Sequence, residues 1–361
     1  MHDLRGVRAA RRDLCPGQPR TGHTEPAAPS ATGQRPPCRP ASTSHRATAR
    51  TALGEPIATL LAPPTTITDD GENSASELRQ LLDAARRVDR STITLLHQQL
   101  DVIRRLDRQL GAIIVRDELN AKIRQVQQLS ACSLAPGTRE PLAGLLAEIQ
   151  TLAGWQALDL GDVPSSWQHY EHSQAAAAQS NSIPHESHAA AEQAFVLIDA
   201  GATCDAVDLL DNARRRADTS APRVLRAWLT AAHGEALAAH GDQTVSLHAF
   251  DRAAELLPRD TADERPYVAL DAVHLARWRG HALAHFGDPD AITVLTDALA
   301  RLDHSFVRAE TALRVDLATA LVASGDQVEA RQHADRACAL ATQLGSTRQR
   351  RRLQTLAASL R

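Results

Sequence analysis

From Ser76 onward, apolar residues recur at helical spacing between charged faces. Ser76-Glu77-Leu78-Arg79 predicts a helix start with Ser76 as its N-cap. A long second helix is predicted from near Ser91, because Leu95, Leu96, Leu100, Ile103, Leu106, Leu110, Ile113 and Ile114 fall close to a 3.6-residue period. Leu119, Ile123, Val126 and Leu129 continue the pattern until Pro136-Gly137 signals a turn. This stripe is expected to pack as core; association of two copies into a homodimer is the other use of so long an apolar face.

After residue 138 the pattern repeats. Five segments share a helix, a turn glycine and a second helix, with Gly161, Gly201, Gly241, Gly287 and Gly325 as the turns. Glycine suits the left-handed residue that ends a helix, and the Asp that follows four of them can cap the next. Seven residues before each turn stands a small residue: Gly154, Ala194, Gly234, Gly280 or Ala318. Nine residues after the first three turns stand Tyr170, Leu210 and Phe250, and the fourth unit is one residue short after Gly287-Asp288-Pro289. Small residues in register let helices cross closely, so the pattern calls for helical hairpins stacked into a solenoid. Pro184, Pro222 and Pro266 fall between units, where helices should stop. The last helix, from about Ser346, reads as a cap whose Arg348, Arg350, Arg351 and Arg352 coat a solvated face. Such spacings resemble tetratricopeptide repeats, with a longer period here.

Composition narrows the class. Aromatic residues make up 3% of the 361, so Leu and Ala must build an all-α core. The net charge is −3, which carries no strong nucleic-acid signature. Residues 1–64 hold 10 of the 18 prolines and nine arginines against four acids, a net +5, which leaves −8 for the remainder. Such a segment cannot bury enough apolar surface to order itself. Three parts are therefore expected: a disordered Pro/Arg-rich leader (1–64), an N-terminal helical segment (65–137) and the repeat array with its capping helix (138–361). Arg11-Arg12 lacks the apolar run of an export signal, and no 18-residue apolar stretch exists to span a membrane. Five cysteines at wide spacing, with no C-x-x-C, read as reduced thiols in a cytoplasmic protein.

At residues 152–162 the chain reads Leu152-Ala153-Gly154-Trp155-Gln156-Ala157-Leu158-Asp159-Leu160-Gly161-Asp162. This resembles the LAGW…DLGD stretch of a large group of actinomycete helix-turn-helix regulators of the Xre type, which carry a tetratricopeptide-like C-terminal region. Arg105 to Ala112 and the linker Ala52 to Ile57 are also similar to that group, and the resemblance covers about residues 50–361. It implies a regulator's sensing half. The family's DNA-binding domain should precede the linker, and residues 1–50 lack the apolar-periodic helices it needs. No direct DNA binding by this chain is expected.

Chemistry is sparse. G-x-S-x-G, the P-loop and G-x-G-x-x-G are all absent, so no enzyme and no cofactor are expected. His281 and His285 share a helix face with His274, but a zinc protease would need Glu where Ala282 stands, and a closed metal site needs four ligands. No metal site is expected. In stacked hairpins the first helix of each unit lines the concave face. That face should carry His274, Arg277, Trp278, His281 and His285, then Trp228 and Glu235, then His188, Glu192, Phe195 and Asp199, then Trp155 and Asp159. Aromatics with Arg and carboxylates anchor peptides, and Trp155 and Trp228 have packing between units as their alternative. The sequence thus reads as the sensing and interaction module of a transcriptional regulator, with a peptide or partner protein in its groove; a scaffold unrelated to transcription is the alternative. Limited trypsin digestion should remove residues 1–64 rapidly while the remainder survives; a leader left intact despite its nine arginines would overturn the boundary.

Overall fold

The computed structural model describes residues 70–258 and 265–359; the leader predicted at 1–64 lies outside them. From Arg79 onward the described residues form one compact unit. All regular elements among the described residues are helices: α1 (Asp70–Arg86), α2 (Arg90–Leu110), α3 (Ala112–Cys132), α4 (Pro136–Leu160), α5 (Val163–Gln179), α6 (Ile183–Asp199), α7 (Thr203–Ala217), α8 (Arg223–His240), α9 (Gln243–Leu256), α10 (Ala272–His285), α11 (Asp290–Arg301), α12 (Val307–Ser324), α13 (Gln327–Leu344) and α14 (Thr347–Ala357), with one short 3-10 turn after α7. Helices α4 to α13 form five hairpins stacked side by side, a tetratricopeptide-like solenoid.

The repeat register explains the hairpins. All five turn glycines have positive φ, from 69° to 98°. Asp162 and Asp326 cap the following helices by accepting from the Ser165 and Glu329 amides, whereas Asp242 makes no such bond. Gly154 sits on the ring of Tyr170, Gly234 on that of Phe250, and Gly280 on the side chain of Leu295. Leu295, eight residues after its turn glycine, takes the place that Tyr170 and Phe250 hold at nine, so the short fourth unit still fills its seam. Ser166 and Ser246 donate to the Gly154 and Gly234 carbonyls at 2.8 and 2.7 Å, the same bond in two repeats. Helices this close leave no room for a larger side chain.

Several expectations fail for identifiable reasons. Helix α1 starts at Asp70, so Ser76 lies inside it rather than capping it; Ala75, Glu77 and Leu78 favour helix strongly enough to run through. The predicted second helix is two helices, broken at Gly111 (φ 85°, ψ 169°), where a side chain would also run into the Leu344 backbone. The break resets the helical phase. Leu96, Leu100 and Ile103 of α2 and Val115, Leu119 and Ile123 of α3 are buried, while Leu95, Leu110, Ile113 and Ile114 are exposed. Pro184 opens α6 in its first turn instead of lying between helices.

The ends of the array meet. Helix α2 packs on α12 and α13, and α14 packs on α4 and α12. Arg308 of α12 forms a bidentate pair with Asp107 of α2 at 2.7 and 2.8 Å and places its Nε 3.3 Å from Asp159 of α4. Ser346, the N-cap of α14, donates to Asp159 at 2.6 Å. The arginines of the capping helix are therefore not all on a solvated face: Arg348 binds Asp199 at 2.7 Å and stacks over Trp155, and Arg352 binds Asp316. Gly280→Leu should cost about 1–3 kcal/mol by overpacking the Leu295 contact. Gly137→Ala, where nothing stands within 4 Å of the added carbon, should not lower the melting temperature. Equal melting of both variants would mean that the register is wrong.

Candidate functional site

Within the array lies a cavity of about 260 Å³. Each hairpin contributes its first helix. The residue thirteen positions before each turn glycine (Glu148, His188, Trp228, His274 or Ala312) faces the cavity in all five repeats. Two turns further along α4 and α6, Trp155 and Phe195 join them. Helix α2, the connection before α10 and the start of α14 complete the lining.

One wall is aromatic. Phe195 stands 6.1 Å from Trp155, 6.1 Å from Trp228 and 6.0 Å from Trp278, ring centre to ring centre, with Trp228 and Trp278 6.2 Å apart. The rings meet edge to face or tilted, the favoured geometry for such pairs. Trp228 is buried in the core between units, while Trp155 and Trp278 are partly open. The packing alternative therefore holds for Trp228, which is both a seam residue and part of the wall.

The charged lining is mostly paired. Arg104 binds the buried Glu148 at 2.6 Å, and Arg265 reaches Glu148 and Asp101. Burial would raise the Glu148 pKa, but Arg104, His185 and Arg265 hold it well below the ordinary value. Asp107 and Asp159 share Arg308, Glu192 stands 3.4 Å from His188, and Glu235 presents one oxygen 3.4 Å from His281. His274 donates from Nδ1 to the Asp271 carboxylate at 2.9 Å and lies edge-on to Phe306; that hydrogen bond brings the Asp271 pKa down to about 2.

Two guanidiniums stand apart from this pairing. Arg108 lies over the Phe306 ring and donates to the Tyr267 hydroxyl at 2.8 Å, with its Nε buried and unpartnered. Arg277 has a buried Nε without a partner, and among the described residues no carboxylate comes within ion-pair distance of it. Burial lowers its pKa despite the fields of Asp316 and Glu235. The second oxygen of Glu235 is likewise buried and unpartnered.

Of the residues picked out from sequence, Trp155, Asp159, His188, Glu192, Phe195, Trp228, Glu235, His274, Arg277 and Trp278 line this cavity. Three do not. Asp199 is held by Arg348 toward the capping helix, His281 turns to Asp316 at 2.7 Å, and His285 is exposed beyond it. They lie further along their helices, where α14 packs instead of the cavity opening. Sequence reasoning missed Asp107, Arg108, Glu148, Tyr267, Phe306 and Arg308. The position thirteen before the turn glycine would have found Glu148; nothing in the repeat marks the others, which come from segments outside it or before its register begins. Among the described residues no group of three or more His, Cys, Asp or Glu is placed to hold a metal ion, Cys132 and Cys338 are free thiols, and no helix is long and apolar enough to cross a membrane.

His281 gives a testable electrostatic consequence. Burial lowers its pKa, but Asp316 and Glu235 outweigh that and raise it above the ordinary 6.5. The stabilisation from its charged form is complete below about pH 6.5 and is lost as pH rises through the raised folded value. The melting-temperature gap between wild type and His281→Gln should therefore be larger at pH 5.5 than at pH 8.5; an equal gap at both would show that the imidazolium contributes nothing.

No family model matches the chain, and no curated protein matches it. Solved structures with partial likeness include a Podosopora anserina protein described as a kinesin light chain with nearly identical TPR-like repeats, at 18% identity, TM-score 0.36, covering 54% of this chain and 94% of that one. The TPR2AB domain of yeast Sti1 in complex with pHSP90 stands at 16% identity and TM-score 0.27, covering 60% and 99%. The apo quorum sensor NprR from B. thuringiensis stands at 13% identity and TM-score 0.41, covering 80% and 81%. At these scores the fold assignment rests on the helix pairs themselves.

Proposed function

We propose that the array is a protein-interaction module that takes a peptide or a segment of a partner protein in its central cavity, without chemistry of its own. The observation that carries this reading is the wall of Trp155, Phe195, Trp228 and Trp278 beside a guanidinium, Arg277, that no carboxylate among the described residues pairs with. Aromatic rings and arginine are the residue types that dominate binding energy at interfaces, and a buried donor without a partner gains most from a ligand that supplies one. The likeness of residues 152–162 to the actinomycete regulators supports a place in transcription control, with DNA contacted by another polypeptide or domain rather than by the array. Reduced thiols at Cys132 and Cys338 are consistent with a cytoplasmic setting.

The test is a pull-down with the full chain as bait, repeated with Arg277→Ala and Trp278→Ala. Each substitution should weaken capture of the partner by about 2 kcal/mol or more. Arg277→Ala is the cleaner variant, because Trp278 also packs against Phe195 and Trp228. Undiminished capture by both folded variants would remove the cavity from the interaction and leave a scaffold that works through another face.

A further inference from the structure

Arg277 and Glu235 carry opposite charges on neighbouring helices, line the same cavity and do not pair with each other. Helix α10 presents Arg277 one turn before His281, and Glu235 of α8 reaches across to that same His281. Glu235 thus lies opposite the face of α10 that bears Arg277, and each still has a buried polar atom without a partner: Nε on Arg277 and Oε2 on Glu235. In a dry environment two such groups bond each other unless something else is meant to occupy the space between them.

The charges decide what that something is. A simple anion would satisfy Arg277 but stand beside Glu235. A simple cation would do the reverse. A ligand with both a carboxylate and an ammonium on adjoining atoms satisfies both and adds no net charge to a cavity whose other ions are largely paired. The aromatic wall calls for an apolar body on the same ligand. The size limits that body: about 260 Å³ falls just below the range of drug-sized sites, enough for one ring-sized group.

We propose that the cavity binds a free α-amino acid with a large apolar side chain, its carboxylate on Arg277, its ammonium on Glu235 and its side chain against Phe195, Trp228 and Trp278. The proposal rests on the reading of the cavity as a ligand site and narrows its occupant from a peptide segment to a single zwitterion. Neither end of a peptide offers both charges on one residue, so the two occupants differ in measurable ways.

The experiment is a titration of the full chain, read by calorimetry and by tryptophan emission excited at 295 nm, with leucine, isoleucine, methionine and phenylalanine as probes. Three of the four tryptophans line the cavity, so a bound side chain should change the emission. For the best probe, the N-acetyl form (no ammonium) and the amide form (no carboxylate) should each bind at least roughly tenfold more weakly, the usual scale for losing one charge-assisted contact. Arg277→Gln should abolish the preference for the free acid over the amide, and Glu235→Gln the preference for the free amine over the N-acetyl form. Melting curves confirm that both variants fold.

Equal binding of all three forms, or preferences that survive in the variants, would overturn the zwitterion assignment. So would a lack of response to all four amino acids. In that event the pull-down separates the two readings: partner capture that is lost in Arg277→Ala keeps the cavity as a peptide site, and capture that is retained removes both.

Discussion

The buried guanidinium of Arg308 holds together segments that the chain separates by 201 residues. It takes both oxygens of Asp107 from α2 and leans on Asp159 from α4, while Gln156 and Ser346 supply further bonds to those carboxylates. Burial opposes its charge, but the two aspartates keep its pKa above the ordinary value. Three charges so deeply placed gain little net energy over an apolar core. Their effect is on geometry. Removing Arg308 would leave two buried carboxylates without their counter-ion, at a cost of roughly 3–5 kcal/mol, so the contact tolerates one arrangement of α2, α4 and α12. A row of hairpins held only by nearest neighbours would have no such cross-tie.

That tie gives the array an interior. Because α2 and α14 pack across the first and last hairpins, the inner helices face each other around a shared space instead of facing open solvent. Every first helix contributes to this space at the same register, so the repeat that builds the fold also spaces the lining. The second helices carry the Leu, Phe and Ala seam and stay out of it. The division of labour is local: the small residue seven before the turn belongs to the seam, and the residue thirteen before it belongs to the cavity.

The repeat was legible from sequence because turn glycines and small seam residues recur at fixed offsets, and five copies reinforce one another. The inner faces of α4, α6, α8 and α10 followed from the same register, which is why Trp155, Phe195, Arg277 and Trp278 could be named in advance. What could not be read was everything that depends on the ends meeting. Asp107 and Arg308 lie in no shared motif, and a charged residue on a helix looks the same whether it meets solvent or a partner 201 residues away. Arg348 and Arg352 were placed on a solvated face for that reason. Gly111 was overlooked because one glycine inside an apolar period weakens a helix without marking which way the chain turns; its positive φ and its contact with Leu344 exist only in the assembled unit.

Closure and cavity share some residues and not others, and the distinction governs which substitutions are informative. Asp159 lines the cavity and also receives Arg308 and Ser346. Arg348 lines it, covers Trp155 and holds Asp199. A change at either acts on stability and on the cavity together, and the two effects are not additive because they run through the same contacts. Arg277 takes no part in closure: among the described residues no carboxylate comes within ion-pair distance of it, its buried Nε has no partner, and burial lowers its pKa. Asp316 and Glu235 favour its charge from a distance, yet its buried Nε has no partner, so a direct bond to that atom is left for a group from outside the described residues. That imbalance, and not the presence of a groove, separates this cavity from the ordinary space between stacked helices.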